Sequence, residues 1–119
     1  MTAPVDVHTI AIMPHMHLLG QSMKVTATQP DGTKVPLVYV PKWDFRWQNT
    51  YLYKEPVALP RGTKVLVEAV YDNSADNPHN PNKPPKEVGW GEATTDEMLL
   101  AYVWVTADYE NLDIRPAAP

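Results

Sequence analysis

The chain has 119 residues, of which 44% are hydrophobic and 20% charged, with a formal net charge of −4 and no cysteine. That is one globular domain's worth of composition, with no electrostatic footprint for nucleic acid. It excludes a disulfide scaffold, a thiolate zinc site, an iron–sulfur cluster, a blue-copper centre and a thiol nucleophile.

Thirteen prolines against five glycines favour turn-rich β-structure over long helices. No apolar run approaches a membrane span. No signal peptide is visible, so the chain reads as a mature form or an excised piece of a longer protein. In chain order, Val5 to Ile12 is rich in β-branched residues and reads as a first strand, followed by Pro14 and the run HMHLLG. Ser22 to Gln29 alternates apolar Met23, Val25 and Ala27 with polar Lys24, Thr26 and Thr28, the period of a half-buried strand. Pro30-Asp31-Gly32-Thr33 is a strong turn signal, and a second alternating run to Val40 completes a β-hairpin. Trp43, Phe45 and Trp47 at spacing two predict an aromatic strand face, better suited to a core than to a stacking platform. A segment from Thr50 to Leu59 leads to the turn Pro60-Arg61-Gly62-Thr63, and Lys64 to Tyr71 is a further alternating strand. Asp72 to Lys86 is aperiodic and rich in proline and asparagine, a long loop tied down by Asx-turns rather than a calcium loop. Asp96 to Thr106 is the most apolar strand, expected to be buried on both faces. The predicted domain is a single all-β, antiparallel sandwich with a core of about 5–107 and a tail over 108–119.

Two segments carry chemistry. His15 and His17 flank Met16, and on a strand residues two apart share a face, so their imidazoles can converge on one ion. Met98 enters the last strand behind Thr94, Thr95, Asp96 and Glu97. Two imidazoles and a thioether form a soft donor set that suits Cu(I). Alone, each feature has a plainer reading: surface histidines in one case, a core methionine in the other. His8 reads as a structural histidine on the first strand, and His79 as an exposed residue in the long loop. Met16 should point away from the histidine face and Met13 toward it.

Together, PHMHLLG (Pro14 to Gly20) and GEATTDEM (Gly91 to Met98) resemble the C-terminal catalytic domain of the copper type II, ascorbate-dependent monooxygenases. That family includes peptidylglycine α-hydroxylating monooxygenase and dopamine β-hydroxylase. The wording PHMHLLG and YDNSADNP is most similar to bacterial, single-domain copies. The resemblance implies a jelly-roll-like fold and one copper per chain, held by His15, His17 and Met98. It also implies C–H hydroxylation with O2 and a small-molecule reductant, an electron-donating domain that is separate or fused, and an extracytoplasmic location. The family's second copper needs three more histidines, and His8 and His79 cannot supply them. The peptide-anchoring Arg and Asn of the amidating enzymes are Met13 and Leu100 here, Tyr102 keeps the family's tyrosine, and Ala69 and Leu99 stand where its cystine would align. Met13, Leu100 and Tyr102 are thus the candidate substrate contacts, and they imply a less polar substrate than a peptide carboxylate. The alternative is a non-enzymatic copper-binding or electron-transfer module.

Overall fold

The computed structural model describes residues 1–109. Within them the chain forms six strands: β1 (Val7–Met16), β2 (Gly20–Thr28), β3 (Lys34–Val40), β4 (Tyr51–Leu59), β5 (Lys64–Tyr71) and β6 (Leu99–Ala107). They make two antiparallel three-stranded sheets, ordered β4-β1-β6 and β3-β2-β5. Only β2 and β3 form a hairpin within one sheet. Every other connection crosses from one sheet to the other, as the sandwich expected from the sequence requires. The predicted tail falls mostly on residues 110–119, outside the described residues.

The tight turns form where their residue types demand. Gly32 and Gly62 both take left-handed backbone, at φ +89° and +88°, which only glycine adopts without a Cβ penalty. The Asp31 carboxylate accepts the Thr33 amide at 2.9 Å and stiffens the first of these turns. The core lies between the sheets, where Ile12 and Met16 from β1 meet Met23, Val25 and Ala27 from β2, with Leu37 and Leu59 beside them. The N-terminal residues dock as well: Thr2 bridges Lys64, and Ala3 is buried.

A bulge in β1 decides which face carries the chemistry. The register against both neighbours shifts between Thr9 and Ala11. Before the shift, Val7 and Thr9 point inward; after it, Ile12, Pro14 and Met16 do. An extra residue reverses the parity of all that follows. Met13 and His15 are thereby turned to the outer face of the sheet. β1 runs four residues beyond the expected end at Ile12, through Pro14. Pairing with β4 stops at Ile12, so the proline sits where β1 has β6 as its one neighbour.

Two sequence expectations fail. Trp43 to Asn49 is not a strand. The Asp44 carboxylate takes the Arg46 amide at 2.9 Å and the Arg46 guanidinium at 2.8 Å, and the Trp47 amide donates to the Asp44 carbonyl. This local capture by an Asx-type turn outcompetes a ladder. The three aromatics then part company: Trp43 packs on the core, Phe45 turns toward His17, and Trp47 is 72% exposed. The apolar strand β6 is not buried on both faces either. It is an edge strand, and Leu99, Ala101 and Val103 face the core while Tyr102 and Trp104 stay exposed. The long loop is built as expected: Asp72, Asn77 and Asn80 accept the amides of Ser74, His79 and Asn82. Buried Asn77 and Asn80 cross-link it internally through their side-chain amides.

Candidate functional site

The site lies where β1 crosses to β2, beside the start of β6. His15 pairs across the ladder with Leu100, and Met16 with Leu99, the last pair in register. His17 follows immediately, in the turn that leads to β2. The ladder ends there, and His17 and Met98 are the next residues along the two chain segments. A single side chain ties the two together. Glu97 Oε1 accepts the His17 amide at 2.8 Å and the Met98 amide at 3.2 Å, while Oε2 accepts the Leu19 amide at 3.1 Å. A carboxylate receiving three amides is a strong tether, because each bond is charge-assisted. Further ties hold the same turn: the Trp43 indole donates to the His17 carbonyl at 3.0 Å, and the Tyr71 hydroxyl to the Met98 carbonyl at 2.7 Å.

The two imidazoles stand edge to face, their centroids 5.1 Å apart. His17 is 3% exposed, with the Phe45 ring edge-on at 5.9 Å, while His15 is half-buried. Both rings are oriented through Nδ1. His17 Nδ1 meets the Asp96 carbonyl at 3.1 Å, and a carbonyl can only accept. His15 Nδ1 meets Gln48 Oε1 at 2.5 Å. The Gln48 amide is fixed with its oxygen toward the ring because its nitrogen donates to the Phe45 carbonyl at 3.0 Å. Each neutral ring therefore carries its proton on Nδ1 and presents a lone pair at Nε2. That outer-shell arrangement is the one that readies histidines for a metal. Among the described residues no three His, Asp or Glu side chains gather as a metal site. Two imidazoles joined by a thioether would make a soft donor set. The donor chemistry fits copper, and the soft Cu(I) state best.

Glycine appears in this region where the chain approaches itself. A Cβ on Gly20 would stand 2.8 Å from Trp43 Cδ1, and one on Gly91 would stand 2.1 Å from an Asp96 carboxylate oxygen. Burial, and secondarily the Glu97 charge, push the Tyr71 phenol up to about 12. The hydroxyl therefore remains a donor to the Met98 carbonyl throughout the neutral range.

Of the other residues singled out in the sequence, Met13 pairs with Tyr102, and His15 with Leu100. Facing residues of a ladder point to the same side, so these four share the outer face, where Tyr102 is 46% exposed. Met16 is fully buried on the inner face. His8 lies at the far end of β1 and pairs with Asp108 at 2.7 Å. His79 is exposed in the long loop, beside Trp43 and Asp44. Sequence reasoning missed Gln48 and gave Glu97 no role. A lone glutamine in an irregular segment offers no periodic signal. For Glu97 a usable sign was present, an acidic residue directly before a candidate ligand.

Against known families, residues 2–114 match the model of the copper type II ascorbate-dependent monooxygenase C-terminal domain. The chain is similar to DBH-like monooxygenase protein 1 of Homo sapiens, 28% identical over 102 residues, and equally to the Mus musculus protein of that name. The match takes in 84% of this chain and 15% of each relative, so the chain spans a small part of their length. No solved structure gives a significant match. A family match over nearly the whole chain, on an all-β sandwich, places this protein in the copper type II ascorbate-dependent monooxygenase family, as its C-terminal domain.

Proposed function

We propose that the domain binds one copper ion through His15, His17 and Met98 and serves as the oxygen-activating unit of a copper monooxygenase. One observation carries this reading: both imidazoles are held through Nδ1 with Nε2 left to bind, and Glu97 tethers Met98 to the same turn. When bound, the copper supplies one-electron redox chemistry and a position for dioxygen. The chain's own residues do the rest. Gln48 and the Asp96 carbonyl keep the protons on the outer nitrogens of the two rings. Glu97 fixes the spacing between the histidine turn and the methionine. Met13, Leu100 and Tyr102 make an apolar approach on the outer face of the sheet, which favours an uncharged C–H substrate. Hydroxylation inserts one oxygen atom and reduces the other to water with two electrons and two protons. The electrons would come from a small-molecule reductant, through a separate or fused electron-donating domain, in an extracytoplasmic setting.

The test is a Cu(I) titration of the wild-type chain against His15→Ala and Met98→Ile, followed by oxygen uptake with ascorbate. The expected result is one equivalent of Cu(I) bound by the wild type, at least tenfold weaker in both variants, with copper-dependent oxygen uptake that Met98→Ile removes. Equal binding by all three proteins overturns the site. Tight binding without oxygen uptake leaves the copper-carrier reading in its place.

A further inference from the structure

A cavity of about 380 Å³ opens at the same end of the sandwich, bounded by Leu19, Tyr71, Val88, Trp90 and Leu99, with Met98 in its wall. It belongs neither to the outer face of Met13, Leu100 and Tyr102 nor to the imidazole pair. Its size is that of a small-molecule site, roughly 300–1,000 Å³. The three polar side chains in its wall spend their bonds on the protein. The Tyr71 hydroxyl donates to the Met98 carbonyl, the Asn73 amide donates to the Lys86 carbonyl and accepts from Asn80, and the Glu97 carboxylate receives three backbone amides. What remains for a ligand is apolar surface and the indole of Trp90, 65% exposed. The backbone that carries it is pinned on both sides: the Glu97 amide donates to the Gly89 carbonyl, and the Gly91 amide to the Glu97 carbonyl. An outward-standing aromatic on a pinned backbone, beside aliphatic walls, is a stacking surface. Among the described residues, the one charged side chain that lines the cavity, Glu97, is negative, which disfavours anions.

We propose that this cavity binds a small, uncharged, flat apolar molecule stacked on Trp90. The proposal does not need copper: the cavity is shaped by the protein alone, although one of its walls, Met98, is also the proposed copper ligand. A molecule seated there would touch Met98, so binding and the methionine's position are physically linked.

The experiment is fluorine NMR on the full chain without added copper, with fluorobenzene as probe and 4-fluorobenzoate as its charged counterpart. Gly89 gives a way to fill the cavity. It lines the space, and no atom beyond its own chain neighbours lies within 4 Å of a Cβ built there. Gly89→Phe should therefore block the site while the fold persists, and Trp90→Ala should remove the stacking face. Saturable fluorobenzene binding is expected, weakened at least tenfold in each variant, with 4-fluorobenzoate at least tenfold weaker on the wild type. Absence of saturable binding, equal affinity in wild type and Trp90→Ala, or equal binding of the two probes would overturn the proposal. If Gly89→Phe does not give a cooperative melt, Trp90→Ala decides the outcome.

Discussion

Removing the Glu97 carboxylate should both loosen the fold and weaken metal binding. Glu97→Ala orphans three amides, those of His17, Leu19 and Met98, now accepted at 2.8, 3.1 and 3.2 Å. The residue is half-buried, so water can repair part of the loss. Taking ~1 kcal/mol per bond, below the ~1.5–3 of a fully enclosed charged acceptor, the loss is ~3 kcal/mol. In a domain of this size that corresponds to a fall of about 12 °C in Tm. Glu97→Gln is graded in between. Its remaining oxygen can serve His17 and Met98, but its NH2 then confronts the Leu19 amide, for a loss of ~1 kcal/mol, or about 4 °C. Thermal melts followed by circular dichroism read both variants, with Glu92→Gln, an exposed neighbour, as the control. The order should be Ala below Gln below wild type, and Cu(I) affinity should fall in the same order, at least tenfold for Ala. If Glu97→Ala melts within 2 °C of wild type and binds Cu(I) as well, the carboxylate does not hold the two segments together and the argument fails.

Gln48→Leu keeps the side chain's bulk but removes the acceptor from His15 Nδ1; losses of outer-shell partners of this kind weaken metal binding ~10–100-fold, and a Cu(I) competition titration reads the change while the Tm control stays near wild type. Gly20→Ala should cost ~1–3 kcal/mol in urea unfolding, because the new methyl meets Trp43 Cδ1 at 2.8 Å and fully buried Met16 at 3.0 Å; an unchanged midpoint would show that the turn can yield. Tyr71 should ionise near 12 rather than at the ordinary 10.0. The folded value lies above the unfolded one, so the stability it contributes is complete below pH 10 and drains away as pH rises toward 12. A tyrosinate absorbance titration of wild type minus Tyr71→Phe isolates that group, and a difference curve centred at 10 would contradict the assignment.

Turn chemistry and alternation made most of the fold legible. Gly32 and Gly62 stand at left-handed positions that the sequence marked by proline and glycine punctuation, and strands β2 and β5 follow their period-two patterns, while β3 loses its alternation at the register shift beside Leu37. The misreadings share a cause: periodicity reports which residues are apolar, not what they face. The spacing of Trp43, Phe45 and Trp47 was that of a strand, yet a single aspartate redirected the backbone by capturing Arg46. The apolar run of β6 suited an interior strand, yet the sheet order leaves it at an edge. Edge position is a property of the whole topology, and no local window contains it.

The histidine pair shows the same limit from the other side. Spacing two predicts that His15 and His17 share a face, and the rings do lie side by side. It cannot say whether that face is the core or the surface. Extrapolating the inward positions Val7 and Thr9 along β1 would send His15 into the hydrophobic interior. The bulge between Thr9 and Ala11 reverses that outcome, burying Pro14 and Met16 and leaving His15 half-open beside Leu100. Without that change of parity His15 would be buried as His17 is, at 3% exposure, and neither ring would reach solvent. A residue inserted well before the site therefore sets its accessibility, while Glu97, one residue before Met98, sets its assembly.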